Sequence, residues 1–260
     1  DNVNSLTHNS SFESLMKIAE FPVIETERLL LREIVHADVP ALFAIHGDPE
    51  TMKWFGVDPL VDEAGAAKLV DLFASYRSQP NPGARWGIQV KDQDSLVGSC
   101  GLFAWNRGWC KCTIGYELHP KVQGQGYMQE ALLACIDWGF ENMELNRIEA
   151  QVHPSNVASI STVERLGFTR EGLSRQLGFW RGQFHDMLQY ALLSQDWRQA
   201  KPKKLGRVAG LSPDLLSRLQ AVHEVRRHAF CRLLGLAFGQ GLHDGAVLGE
   251  GLLNAALFEQ

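Results

Sequence analysis

Two hydrophobic periods alternate along the chain, one near 3.6 residues and one of 2. Residues 26–34 form a compact apolar run of strand length. Asp38 and Pro40 suit the start of a helix carrying Leu42, Phe43 and Ile45, closed by Gly47-Asp48-Pro49. From Asp62 onward, Ala66, Leu69, Val70, Phe73 and Tyr76 recur at three- and four-residue spacing and predict a second helix. After the breaker at 79–83 the period drops to two. Residues 86–90 and 96–105 read as a hairpin, and 112–118 as a third strand. A helix begins after Gly126, with Met128, Ala131, Leu132, Cys135 and Gly139 on one face. Residues 148–152 alternate again, and Asn156 stands at the start of a helix that stops at Leu166-Gly167. The runs 172–180 and 184–193 flank Arg181-Gly182-Gln183, a natural tight connection.

The predicted order is β-α-α-β-β-β-α-β-α-β-β, complete by about Trp197. It is neither a strict βαβ alternation nor all-β, so the fold class is α+β, a mixed sheet with helices on its faces. Residues 1–20 read as a flexible leader, 21–198 as one globular domain, and 199–211 as a linker containing Lys201-Pro202-Lys203-Lys204. Residues 212–260 read as a helical C-terminal extension. It opens at Ser212-Pro213 and carries Leu215, Leu216, Leu219 and Val222 on or near one stripe.

A length of 260 residues allows one to two domains with a substantial core. The net charge of −5 argues against a general nucleic-acid binder. The 5 cysteines contain only one close pair, Cys110 and Cys112, with no second pair to complete a zinc tetrad, so no metal is expected. The first 20 residues lack a basic segment followed by an apolar one, and no apolar run approaches membrane-spanning length. A cytoplasmic protein is the expectation.

Chemistry concentrates at one junction: strand 113–118, then Gln123-Gly124-Gln125-Gly126, then the helix from Tyr127. Free N–H groups at a helix start, reached through glycines, favour a bound anion. Neither a G-K-[ST] phosphate loop nor a G-x-G-x-x-G fingerprint is present. A second segment, from Val152 to Phe168, places Asn156 and then Ser159 at the head of a helix. Helix capping is the plain role of either residue.

With these blocks the chain resembles the GNAT superfamily of acetyl-CoA-dependent N-acetyltransferases, in the branch of ribosomal-protein-alanine N-acetyltransferases. The resemblance spans roughly residues 22–198. It rests on Thr26–Arg32, Ile114–Pro120, Gln123–Tyr127 with Glu130-Ala131, Asn156–Phe168, and Arg170–Gly172 with Asp186–Tyr190. It implies a mostly antiparallel central sheet with helices on both faces. It also implies acetyl-CoA as cosubstrate, its pyrophosphate on the backbone of Gln123, Gly124, Gln125, Gly126 and Tyr127. The strand ending at Leu118 is expected to splay from its neighbour, with a backbone N–H near Leu118 polarising the thioester carbonyl. Lys121 stands where the family often has Gln or Arg.

The implied reaction is direct attack of a neutral primary amine in a ternary complex. It needs a proton acceptor, a donor to the leaving thiolate, and positioning. Many relatives use a tyrosine as donor where this chain has Val163. In its place the resemblance points to Ser159, with Asn156 orienting cofactor or substrate. Glu117 is the expected base, with a water chain as competitor and His119 and His153 behind it. Trp54, Phe55, Trp105 and Trp180 fall where the family lines its acceptor site, and Asp186 matches a position commonly acidic in the branch, with a structural or a substrate-facing role. The acceptor is a protein N-terminus or a small-molecule amine. The alternative is a non-catalytic acyl-CoA-binding sensor or interaction protein on the same fold. The extension is a candidate homodimer contact, and no direct nucleic-acid or membrane partner is expected.

Overall fold

The computed structural model describes residues 21–200. The expected leader, most of the expected linker and the helical extension with its dimer contact lie outside the described residues. The first apolar run holds one strand, as expected, and a short strand not expected from the sequence precedes it. β1 (Ile24–Glu25) and β2 (Leu29–Glu33) are separated by a turn in which the Thr26 N–H donates to Leu29 O at 2.9 Å.

α1 (Val39–His46) begins with Pro40 in its first turn, as its sequence suggests. Asp38 does not cap it by side chain. Its two oxygens accept both terminal nitrogens of Arg32 at 2.8 Å, and one also accepts the Val35 N–H. In α2 (Glu63–Ser75) the cap is regular, with Asp62 accepting the Gly65 N–H at 2.8 Å. β3 (Ala84–Val90), β4 (Leu96–Asn106) and β5 (Lys111–Leu118) follow as a meander. Then come α3 (Tyr127–Asn142), β6 (Arg147–Val152), α4 (Val157–Arg165), β7 (Thr169–Trp180), β8 (Gln183–Leu193) and a short α5 (Ser194–Ala200).

The eight strands form one sheet in the order β1-β2-β3-β4-β5-β6-β8-β7. Every pairing is antiparallel except β5–β6, which is parallel. Strand alternation sends side chains to two layers. On one face Trp86, Ile88, Cys100, Leu102, Ile114 and Ile148 pack with Ala131, Leu132, Cys135 and Ile136 of α3 and Val163 of α4. The other face carries a smaller core, where Leu42 of α1 meets Ala66, Leu69, Val70 and Phe73 of α2. Helices therefore cover both faces, as expected. Val163 is fully buried in the larger core, so no polar group stands at that position. Among the described residues no helix is long and apolar enough to cross a membrane, and no group of three or more His, Cys, Asp or Glu is placed to hold a metal.

Candidate active site

The glycine loop is a helix start stripped of side-chain caps. A single 3-10 turn (Pro120–Val122) leads into Gln123, and Gly124 and Gly126 adopt φ of +76° and +79°. Only glycine takes that left-handed conformation without penalty. Gly126 occupies the N-cap of α3 and supplies no side-chain acceptor, so the first-turn N–H groups remain available. A side chain at Gly124 would meet open space, which leaves room for a ligand against the backbone.

Arg28 lies beside this loop. Its guanidinium donates to Gln125 O at 2.9 Å, pairs with Glu130 at 2.7 Å and sits 4.7 Å above the Tyr127 ring. Thr26 donates to the same carboxylate at 2.5 Å. Burial pushes the Glu130 carboxyl up, but the hydrogen bonds from Thr26 and Arg28 outweigh it and hold the group below its ordinary value. The β1–β2 corner is thus tied to the first turn of α3, and a cation is held at the anion-ready loop.

The neighbouring strand edge is open. β5 pairs with β6 only at Lys111, Cys112 and Thr113. Beyond Thr113 the two diverge, while β5 stays paired with β4 as far as Leu118. The expected splay is therefore present. The His119 N–H donates to Val97 O at 2.8 Å, which fixes the alternation of the β4–β5 ladder. By that alternation the N–H and C=O groups of Ile114, Tyr116 and Leu118 point away from β4 into the gap. Gln123 reaches back across the mouth, its amide donating to Leu118 O at 3.0 Å.

Asn156 and Ser159 divide the two roles between them. Asn156 caps α4, its Oδ1 accepting the Ser159 N–H at 3.1 Å. The Ser159 hydroxyl is thereby freed from capping, and it lies 2.7 Å from the Tyr116 hydroxyl on the opposite wall of the gap. Burial raises the Tyr116 phenol to about 12, although the hydrogen bond with Ser159 pulls it down.

Glu117 points to the other face, into the layer under α1 and α2. Its carboxylate takes hydrogen bonds from Arg85 and Ser99 and meets His46 Nε2 at 3.1 Å. Its side chain is only 3% exposed, and that closure removes it from solvent and from the gap. Burial pushes the carboxyl up; Arg85 and His46 outweigh that and hold it below its ordinary value. Phe55 and Phe73 roof the cluster, 5.6 and 4.9 Å from the Arg85 guanidinium carbon.

A wall of rings stands at the end of β6. Trp54 stacks on His153 at 4.1 Å, and Trp180 stacks on His185 at 3.7 Å. The two histidines meet edge to face at 5.3 Å. The β7–β8 turn is fastened to the loop after α1, with the Arg181 N–H on Asp58 and its guanidinium on Pro49 O. Asp186 braces an irregularity in β7 by accepting the Gln176 N–H at 2.8 Å. Burial, then the nearby His185, lowers the pKa of His153. His153 and His119 each engage Nδ1 with a local backbone N–H. Trp105 is not part of this wall. It lies in an irregular stretch of β4 opposite the start of β5, with Arg107 4.4 Å over its ring.

Sequence reasoning brings the loop, Asn156, Ser159, Trp54 and Phe55 forward but misses Arg28, Tyr116 and His185. Arg28 and Tyr116 sit inside quoted motif blocks, and that membership is the one signal they offered. His185 lies just outside the block that begins at Asp186, and its neighbour is the one signal it offered.

The model of the acetyltransferase (GNAT) domain family matches residues 28–169. The chain is 32% identical over 173 residues to the uncharacterized N-acetyltransferase YoaA of Bacillus subtilis (strain 168), covering 66% of this chain and 97% of that one. It is 33% identical over 113 residues to the [ribosomal protein uS5]-alanine N-acetyltransferase of Escherichia coli (strain K12), covering 43% of this chain and 58% of the other. Among solved structures, a GNAT-family acetyltransferase from Bacillus anthracis superposes with a TM-score of 0.59 at 25% identity, covering 67% of this chain and 99% of the other. The matched span contains the glycine loop, the splayed strand edge and the Asn156–Ser159 helix start, and the chain belongs to the GNAT acetyltransferase family.

Proposed function

We propose that the protein transfers an acetyl group from acetyl-CoA to a primary amine, by direct attack in a ternary complex. One observation carries the reading: an uncapped helix start and an unpaired strand edge open onto the same gap. The residues fit the cosubstrate. Backbone N–H groups from Gln123 to Tyr127, with Arg28 beside them, supply donors for a pyrophosphate. The exposed edge at Tyr116 and Leu118 supplies backbone partners for an amide-containing arm. The Leu118 N–H, aimed into the gap, suits a developing oxyanion, where one preorganised donor contributes about 3 kcal/mol.

Ser159 is the proposed proton donor to the departing sulfur, and Asn156 sets its position as the cap of α4. The attacking amine must be neutral. The closure of Glu117 among Arg85, Ser99 and His46 supports water, rather than Glu117, as the acceptor of its proton. We place the acceptor against Trp54 and Phe55, with Asp186 behind the histidine wall. Resemblance to a ribosomal-protein-alanine enzyme favours a protein N-terminus as acceptor.

The test is thiol release from acetyl-CoA by the full chain, over a panel of alanyl-terminated peptides, spermidine, aminoglycosides and amino acids. Release that depends on one acceptor supports transfer. Tight acetyl-CoA binding with no release from any acceptor would sink it in favour of an acyl-CoA sensor. Ser159→Ala should lower kcat on the order of 100-fold with cofactor affinity little changed.

A further inference from the structure

The Tyr116–Ser159 hydrogen bond spans the gap between its two walls. Tyr116 projects from the part of β5 that has left β6, and Ser159 from the first turn of the helix after β6. A serine hydroxyl has one proton and two lone pairs. If the proton lies toward tyrosine, Ser159 can only accept from whatever enters the gap. If tyrosine donates to serine, the serine proton is free to point at a ligand. We infer that Tyr116 is a positioning residue, donating its hydroxyl proton to Ser159 Oγ so that the Ser159 proton faces the leaving sulfur.

This inference rests on the proposed role of Ser159. In the reaction the amine nitrogen forms the C–N bond, the C–S bond breaks, and its electron pair goes to sulfur. Sulfur takes the Ser159 proton, and the proton lost by the amine returns to Ser159 through water. Tyr116 keeps its own proton throughout. Its buried environment, which raises the phenol to about 12, keeps it a donor over the whole pH range in which a protein of this kind works. Tyr116 thereby supports, from the facing strand, the function that many relatives give to a tyrosine at the Val163 position. The aromatic ring belongs to the packing against the larger core, so removal of the hydroxyl alone leaves that packing in place.

The test is a double-mutant cycle on the full chain with Tyr116→Phe, Ser159→Ala and both together. The acceptor is the alanyl-terminated peptide or spermidine, whichever releases thiol in the panel. Tyr116→Phe should lower kcat about 10-fold with the KM for acetyl-CoA unchanged and melting retained. The double variant should be no slower than Ser159→Ala alone, because Tyr116 acts through Ser159. Ser159→Thr, which keeps a hydroxyl, should retain sensitivity to Tyr116→Phe. Losses that multiply in the double variant, or a Tyr116→Phe enzyme with native kcat, would overturn the inference while leaving the Ser159 reading intact. A native kcat in Ser159→Ala would overturn both. If Tyr116→Phe then remained slow, tyrosine itself would be the donor.

Discussion

Glu117 illustrates how one residue's direction decides its chemistry. Neighbouring positions Tyr116 and Glu117 point to opposite faces, one toward Ser159 at the gap and the other toward Arg85 and His46. Removing one member of a buried ion pair leaves the other charge without compensation, a loss of about 3–5 kcal/mol. Glu117→Gln should therefore lower the melting temperature strongly, while folded variant at a lower assay temperature keeps most of its kcat. A native melting temperature with a collapsed kcat would return Glu117 to the base role. The pH dependence follows from the same depressed pKa. The stabilisation is present above the ordinary carboxylate value and is lost as pH falls through the folded one, so Glu117→Gln should show a shallower acid limb. A period of two announces that positions 116 and 117 face opposite ways. It does not announce which face the cofactor gap opens on, so a carboxylate in this strand looks available until its partners from α1 and β3 are in place.

The elements tell a different story, because most of their evidence is local. Asp62, Asn156 and Gly167 mark helix boundaries by their own chemistry, and the structure uses all three as the pattern implies. The exceptions have distant causes. The break between β1 and β2 is fixed in part by Glu130, more than a hundred residues away in sequence, through its bonds to Thr26 and Arg28. Asp38 is drawn off its capping role by Arg32. The loop before α3 combines both kinds of information. Its glycines are visible in sequence, and their left-handed φ values appear only in the fold. Gly124→Ala should cost about 1–2 kcal/mol of stability from the strained φ and raise the KM for acetyl-CoA several-fold, with kcat little changed. Gly172→Ala is the control, since Gly172 has open space and no positive φ, and it should leave KM alone. Equal effects at the two sites would detach the loop from cofactor binding.

At the scale of the molecule, the sheet is continuous across eight strands yet joined at its middle by only the pairs Lys111↔Arg147, Cys112↔Ile148 and Thr113↔Glu149. Helix α3 and the larger core tie the halves together beneath that narrow seam. The antiparallel meander and the β7–β8 hairpin are legible as separate runs, whereas the short seam is not, because pairing length depends on where two distant strands diverge. That divergence gives the gap a blind end. From Leu118 back to Ile114 the open edge runs four residue steps, roughly 13 Å at about 3.3 Å per step, before paired backbone closes it. Under the proposed function, thiol release should fall steeply from acetyl-CoA to palmitoyl-CoA, whose extended chain is longer than this open edge, and equal rates would show that the floor lies elsewhere. A slot closed at one end measures whatever is pushed into it, so under that reading the place where two strands begin to pair would act as a ruler for the acyl chain.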